Sequence, residues 1–374
     1  MGRAEPIFTE LRKSAQLSVS GAAEFLRVPI KEIEAFENGA KRPAISTIKA
    51  LEGLALVSNI DDPKSYRNKA DQIQVSKPLK FIDLFAGIGG FHLALHSLDA
   101  ECVFASEINI HARKTYEHNH RKISSALFMN KKFAGDIKEV APADIPDFDI
   151  LCGGFPCQPF SQAGYKRGFH EAKENRGNLF FDIINIIEAK QPSAFFLENV
   201  RHIKNHDEGK TFAVIQKTLE DLGYSFHHKM VKASDHGLPQ HRPRIFMVGF
   251  RGEKSEESTF KFPDAEPLNM TMSDIFGKPC NKAVGYTLRV GGRGSGLMDR
   301  RNWDTYSVAG NVIRLNSFYG RKMMGFPDNF EFPVSETQAM KQLGNSVAVP
   351  AIRATAKSLI EYLGQPHFAG SETL

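Results

Sequence analysis

From residue 79 onward the chain repeats one pattern: a short apolar run, a turn, then a stretch of helical spacing. The apolar runs are 81–85, 102–105, 148–152, 194–197 and 245–249. Helical spacing follows at 91–98, 179–189, 212–222 and 348–363. Runs this short, alternating with helices, predict a doubly wound α/β sheet of parallel strands, because a parallel neighbour can be reached only through a crossover. Ligands of such sheets bind outside the carboxyl ends of the strands. The turns after those runs are therefore where chemistry is expected.

The rest of the chain departs from this rhythm and suggests four parts. Residues 1–60 read as an all-α domain of short helices: one pattern starts at Leu11, a second covers 22–26 with Ser18 or Ser20 as cap, and a third has Pro29 in its first turn and runs to Phe36. Asn38-Gly39 stops that third helix, and Ser46 can cap a fourth over 48–56. Residues 61–78 are polar, hold two prolines and read as a linker. The α/β domain then takes 79–250 and 323–374, interrupted by a glycine- and arginine-rich smaller domain at 251–322. Four cysteines in 374 residues, none in a CxxC pair, point to a reducing, cytoplasmic setting and away from a zinc site or any other metal centre. No apolar run is long enough to cross a membrane, and no secretory signal is visible. Net charge is +5, too mild to name a polyanionic partner unless it is concentrated. Residues 281–322 concentrate it, with eight Lys or Arg against Asp299 and Asp304.

Four turns stand out. Phe85-Ala86-Gly87-Ile88-Gly89-Gly90 follows the first run, and glycines there let a ligand come close to backbone. Glu107 ends the second run, at an offset suited to accepting hydrogen bonds from ribose hydroxyls. The third glycine comes early for a dinucleotide fingerprint, which favours a nucleoside without a pyrophosphate. Pro156-Cys157-Gln158-Pro159-Phe160-Ser161 follows the 148–152 run, and its two prolines present a thiol at the sheet edge. Glu198-Asn199-Val200 follows the 194–197 run, with neighbours apolar enough to raise the carboxyl pKa if it is buried. Gln240-His241-Arg242-Pro243-Arg244 precedes the last run, and its alternating arginines would point the same way in an extended segment.

These motifs, followed by Gly325-Phe326-Pro327 and Gly344-Asn345-Ser346-Val347, resemble in composition and order the DNA (cytosine-5)-methyltransferases of bacterial restriction-modification type. The resemblance covers about 79–363 and implies a Rossmann-like methyltransferase sheet using S-adenosyl-L-methionine. It implies that Phe85 stacks on adenine, that Glu107 holds the ribose and that Asp136 accepts from the adenine amino group. Ala86, Gly87, Ile88, Gly89, Gly90, Ile108, Ile137, Pro156, Asn178, Leu179, Asn345, Ser346 and Val347 would complete the cofactor pocket. Cys157 would be the nucleophile, Glu198 the partner of the cytosine edge, Arg244 a donor to the base oxygen and Arg242 a contact to a neighbouring phosphate. The 251–322 domain falls where that family reads its target.

Carbon 5 of cytosine attacks a methyl sulfonium only after a thiolate has added to carbon 6. An acid must then meet the charge at N3, and a fixed cation the charge at the ring oxygen. The carbon 6 face is stacked in a duplex, so the base must be flipped out. Ser161 and Gln162, in a segment with two glycines and two cations over 161–168, are expected to close over double-stranded DNA. Arg289 and Arg293 are expected to read guanine, and Arg300 and Arg301 to touch phosphates. Residues 8–56 are similar to phage-repressor helix-turn-helix domains, which implies binding of operator DNA and repression of the enzyme's own operon. A cognate restriction endonuclease is an implied partner in the same system, without a stable complex. A domain used only for packing or dimerisation, an RNA cytosine methyltransferase, and a regulator with an inactive methyltransferase half are the alternatives left open.

Overall fold

The computed structural model describes residues 7–14, 17–26, 28–44, 47–48, 78–156, 179–292 and 294–365. The chain divides into two compact units, Met1–Asp71 and Gln72–Leu374.

In the smaller unit, α1 (Ile7–Ser14), α2 (Val19–Leu26) and α3 (Ile30–Glu37) bury one small core of Phe8, Ala22, Ala23, Ile33 and Phe36. The rings of Phe8 and Phe36 meet with centroids 5.1 Å apart. Ser18 caps α2, its hydroxyl accepting from the Gly21 N–H at 3.0 Å. Arg12 ties the ends together: its Nε donates to Glu37 at 2.6 Å and its Nη1 to the Leu17 carbonyl at 2.5 Å. The first helix begins a turn before Leu11, because Phe8 is a core residue. The expected fourth helix lies almost wholly outside the described residues, as does nearly all of the 61–78 linker.

The larger unit is built on a seven-stranded sheet. Its strands are β1 (Lys80–Leu84), β2 (Glu101–Ser106), β3 (Phe133–Ala134), β4 (Ile150–Gly154), β5 (Ala194–Val200), β6 (His227–Val231) and β7 (Arg244–Phe250), in the order β3-β2-β1-β4-β5-β7-β6. Crossover helices include α4 (Gly90–His96), α5 (Ile110–His120), α6 (Leu179–Lys190) and α7 (Lys210–Asp221). The alternation of β1 sends Phe81 to one core and Ile82 and Leu84 to the other, so the central strands are apolar on both faces. α10 (Val349–Leu363) packs on α4 and closes one face.

The sheet differs from an all-parallel one in a way that matters. β7 runs antiparallel to both β5 and β6. An antiparallel strand starts where its parallel neighbours end, so Arg244, the first residue of β7, stands opposite Val200 at the last position of β5. β3 and β6 were not legible as runs: β3 is two residues long, and the middle of β6 is polar and exposed.

Asp83 is the odd residue of β1. It is 1% exposed, and among the described residues neither carboxyl oxygen has a well-formed hydrogen-bond partner. Burial pushes its pKa well above 3.8, against a weaker pull from the His92 backbone N–H. Burial likewise holds the Cys102 and Cys152 thiols far above their ordinary range, which makes them structural and unreactive. Beyond the sheet, residues 251–316 are mostly irregular and carry a two-stranded ribbon, β8 (Thr305–Val308) and β9 (Asn311–Arg314). Then come α8 (Ser317–Met324) and α9 (Glu336–Asn345).

Candidate active site

A cavity of about 970 Å³ opens at the carboxyl edge of the sheet. Its described lining comes from the turns after β1, β2, β3, β4 and β5, from the starts of α5, α6 and β7, from 287–290, and from α9. A parallel sheet delivers strand ends from distant parts of the sequence to one edge, and this is why separate motifs meet here.

The turn after β1 splits into two functions. Phe85 (φ 55°), Gly87 and Ile88 line the cavity. Ala86, Gly89 and Gly90 stand behind that lining. A Cβ on Gly89 (φ 87°) would lie 2.0 Å from the His120 ring, and one on Gly90 2.5 Å from Val347. Packing alone already requires glycine at both positions. Ser346 and Val347 also stand behind the lining, while Asn345 is in it. Gly87 is the open position, with nothing within 4 Å of where a Cβ would be.

Glu107 anchors the turn. Its Oε2 accepts from the Gly87 N–H at 2.8 Å and its Oε1 from the Asn109 N–H at 2.7 Å. A carboxylate has about four lone-pair sites, so acceptor capacity remains toward the cavity. Ile108, Asp136, Ile137, Pro156 and Leu179 line the same wall. The Asp136 carboxylate accepts from the Lys138 N–H at 3.0 Å, which fixes it at the mouth.

At the other end sits Glu198, 7% exposed. Arg244 Nε lies 2.8 Å from Glu198 Oε1, an ion pair whose N–H is not aimed at the oxygen as a hydrogen bond would require. Burial raises the Glu198 pKa, and the charges of Arg244 and Arg242 offset part of that rise. The net effect is a carboxyl pKa above its ordinary value. Gly154 leaves room for it: a Cβ there would come 3.3 Å from Glu198 Oε2. Asn199 has a clear task. Its Nδ2 donates to the Phe155 carbonyl at 2.8 Å, and its Oδ1 accepts from the Val200 N–H. It thereby pins Phe155-Pro156, the residues directly before Cys157. Cys157, Ser161, Gln162, Asn178 and Arg293 lie outside the described residues.

Arg242 is not where a phosphate contact could be. It is 1% exposed and adopts φ 27°, so it does not share Arg244's extended direction. Its guanidinium donates to the carbonyls of Leu288 at 3.1 Å, Gly344 at 2.9 Å and, at shorter range, Ser346. Its own N–H donates to the Thr287 hydroxyl at 3.1 Å. Gln240 helps: its Oε1 accepts from the Leu288 N–H at 3.0 Å and its Nε2 donates to the Met323 carbonyl at 3.0 Å. Arg242 is therefore a positioning residue that clamps residues 287–290 against the end of α9.

Arg289 emerges from that clamp exposed, lining both the main cavity and a second, shallower hollow of about 530 Å³. Gly292, Gly294, Ser295, Gly296, Asp299, Arg301 and the buried Trp303 complete the hollow. Arg301 pairs with Asp299, Nη2 to Oδ2 at 2.8 Å and Nε to Oδ1 at 3.1 Å, which fixes the 297–301 turn. Arg300 is exposed.

Among the lining residues outside the sequence motifs are Gln338, Lys341 and Gln342. Their spacing of three and four puts them on one face of α9, a signal that was present and not used.

Comparison with known proteins agrees in kind. The model of the C-5 cytosine-specific DNA methylases matches residues 79–290 and 307–361. The Type II methyltransferase M.NlaX of Neisseria lactamica is 40% identical over 313 residues, covering 75% of this chain and 96% of that protein. The Type II methyltransferase M.SsoII of Shigella sonnei is 36% identical over 368 residues, covering 89% and 90%. Residues 79–374 alone cannot supply that 89%, so this similarity extends into the amino-terminal part. Among solved structures, a DNMT2 variant of Spodoptera frugiperda aligns with 77% of this chain and all of its own at TM-score 0.56 and 19% identity, a likeness of fold.

Proposed function

Since the chain belongs to the C-5 cytosine-specific DNA methylase family and is a DNA (cytosine-5)-methyltransferase that uses S-adenosylmethionine, we propose that it methylates one cytosine, flipped out of a specific duplex sequence, through a covalent adduct with Cys157. The buried Glu198–Arg244 pair at the sheet edge carries this reading. The Cys157 thiolate adds to carbon 6. Glu198 gives or shares its proton at N3, and Arg244 steadies charge at the ring oxygen. Carbon 5 then acts as an enamine nucleophile. Bound S-adenosylmethionine supplies the electrophilic methyl group. Loss of the carbon 5 proton and departure of the thiolate restore the aromatic ring. Phe85, Glu107, Ile108, Asp136, Ile137, Leu179 and Asn345 hold the cofactor, and the fit is supported by the free acceptor capacity of Glu107 and the open face of Gly87.

A duplex carrying 5-fluorocytosine at the target tests the adduct. Fluorine cannot leave as a proton does, so the unaltered chain should be trapped on it. Cys157→Ala should abolish trapping and methylation while melting like the parent. Full methylation by that variant would sink the mechanism.

Reading of the target is assigned to residues around 289–303. The family model skips 291–306, and the glycine-rich hollow beside Arg289 lets backbone and arginine approach a groove. Arg289 and Arg293 are the base readers, and Arg300 the phosphate contact. Residues 1–60 bind operator DNA as a helix-turn-helix, a reading supported by the α2–Pro29–α3 arrangement. The isolated domain should then protect a palindromic site near its own gene. No footprint there in low salt would remove the repressor role.

A further inference from the structure

A cytosine held at Glu198, the reading on which this inference rests, leaves the phosphates beside it at the cavity mouth. The sheet's own rim, where β5, β7 and β6 end or begin, offers a place for them. β5 and β6 both run outward to the edge at which β7 begins. Their last residues, Val200 and Val231, are each paired with Arg244, and Val200 lines the cavity. The next residues, Arg201 and Lys232, therefore leave the sheet beside the Glu198–Arg244 pair, one on each side of β7. Neighbouring strands lie about 4.8 Å apart, so these two exits are separated by about 10 Å. DNA carries one phosphate per about 3.4 Å of axis on each strand, so such a gap faces about three of them.

A short 3-10 turn, Arg201–Lys204, follows β5 and reaches β6, where Lys204 Nζ lies 3.4 Å from His228 Nε2. The His228 ring is held by an edge contact to Phe212 on α7, with centroids 4.9 Å apart. Burial, and then the charge of Lys204, lower the His228 pKa. At neutral pH the ring is therefore an uncharged acceptor that orients the ammonium.

Surface cations are ordinarily interspersed with acids. Here they are not. Residues 199–206 and 226–234 contain no Asp or Glu. The next acids along the chain, Asp207 and Glu208, pair with Lys210. Lys229 is turned to another task, its Nζ donating to the Pro263 carbonyl at 2.8 Å. Arg201, Lys204 and Lys232 are exposed and, among the described residues, have no carboxylate partner. Three cations that converge on the rim of the site with no acid among them suit a polyanion. We propose that Arg201, Lys204 and Lys232, with His228 orienting Lys204, bind backbone phosphates next to the flipped cytosine. They position the duplex over the cavity without reading its sequence.

The test counts phosphates. Binding of the full chain to a duplex carrying the target is followed by fluorescence anisotropy at several salt concentrations, with S-adenosylhomocysteine present. The double variant Lys204→Gln, Lys232→Gln should lower the slope of log affinity against log salt by about 1.8, at about 0.9 per phosphate contact. In dilute salt its affinity should fall about tenfold or more. Its preference among duplexes one base pair away, and its melting temperature, should match the parent's. A second double variant, Lys122→Gln, Lys131→Gln, removes the same charge at the opposite edge of the sheet, after α5 and before β3, and should keep the parent's slope. His228→Leu should weaken binding when made alone and add nothing to Lys204→Gln. An unchanged slope in the rim variant would overturn the proposal and leave its cations to solvent. An equal drop in both double variants would overturn it in favour of net charge alone. A changed site preference would overturn it in favour of base contact. Equal weakening by His228→Leu with and without Lys204→Gln would remove the orienting role of His228. Failure of the unaltered chain to methylate any duplex would instead strike the substrate reading beneath it.

Discussion

Two ion pairs in this molecule have the same length and opposite characters. Arg244–Glu198 and Arg301–Asp299 both close to 2.8 Å. The first has side chains 16% and 10% exposed, the second 76% and 25%. Water decides the difference. Around Glu198 it is excluded, so burial outweighs two arginines and the carboxyl pKa rises. Around Asp299 it is present, hydrogen bonds from Arg301 dominate, and the carboxyl is held down to about 2. In one pair burial shifts the carboxyl toward its protonated form. The other is a permanent charge pair that shapes a loop. A contact distance alone would not have separated them.

Glu198→Gln should have the largest effect. It keeps the shape and removes the proton donor, so the methylation rate should fall about 10²–10⁴-fold with little change in melting temperature. The pH profile gives the sign. A raised carboxyl pKa means the donor is present below that pKa and lost as pH rises through it. The parent's rate should therefore decline on its alkaline side, and Gln at 198 should abolish that decline. A variant profile that keeps the alkaline limb would assign the titration to another group.

The paired arginines sharpen the comparison further, since they share one motif and differ in surroundings. Arg242→Ala removes a charged donor from three buried carbonyls, and should cost about 3 kcal/mol or more of stability. Arg244→Ala should cost far less stability and should instead slow methylation, with Glu198 titrating still higher. Equal melting temperatures for the two variants, measured by calorimetry, would remove the clamp role given to Arg242.

These contrasts also mark what could be read from the sequence. The motifs at 85–90, 156–161, 198–200 and 240–244 were visible because each ends or begins a short apolar run, and strand ends converge in such a sheet. The direction of β7 was not visible. Apolar composition is the same for parallel and antiparallel central strands, yet direction is what brings Arg244 to Glu198. Burial of Arg242 was equally hidden, because its partners are backbone carbonyls 46 to 104 residues away. Backbone acceptors carry no sequence signal. The packing need at two glycines is hidden for a similar reason: what Gly89 and Gly90 avoid is His120 and Val347, which are distant in sequence.

Asp83 tests the other limit, burial with no well-formed partner among the described residues. Its folded pKa is raised, so above 3.8 folding requires it to hold a proton that the unfolded chain releases. That penalty grows as pH rises from the unfolded value toward the folded one, and then stays constant. Asp83→Asn should therefore melt higher than the parent at neutral pH, with the gain shrinking to nothing as pH falls below about 3.8. A variant that melts lower at neutral pH would mean the carboxylate is ionised and paired in solution.

The smallest effect is expected at the exposed pair. Arg301→Ala leaves Asp299 in water, where an unpaired carboxylate is well solvated, so the fold and the rate on a good substrate should scarcely change. What the pair holds is the turn at 297–301, where Asp299 also accepts from the Arg301 N–H at 2.8 Å. The turn borders the hollow beside Arg289. Loosening it should blur discrimination between the target and sequences one base pair away by a few fold, and leave the pH profile as it was. Salt separates this role from phosphate binding. If Arg301 touched a phosphate, its loss would lower the slope of log affinity against log salt by about one. An Asp299-bound guanidinium predicts an unchanged slope, and Asp299→Asn should then blur the same base pairs as Arg301→Ala. A lowered slope in Arg301→Ala with site preference intact would give the arginine back to the phosphate backbone, and make the two ion pairs alike in that each serves a ligand directly.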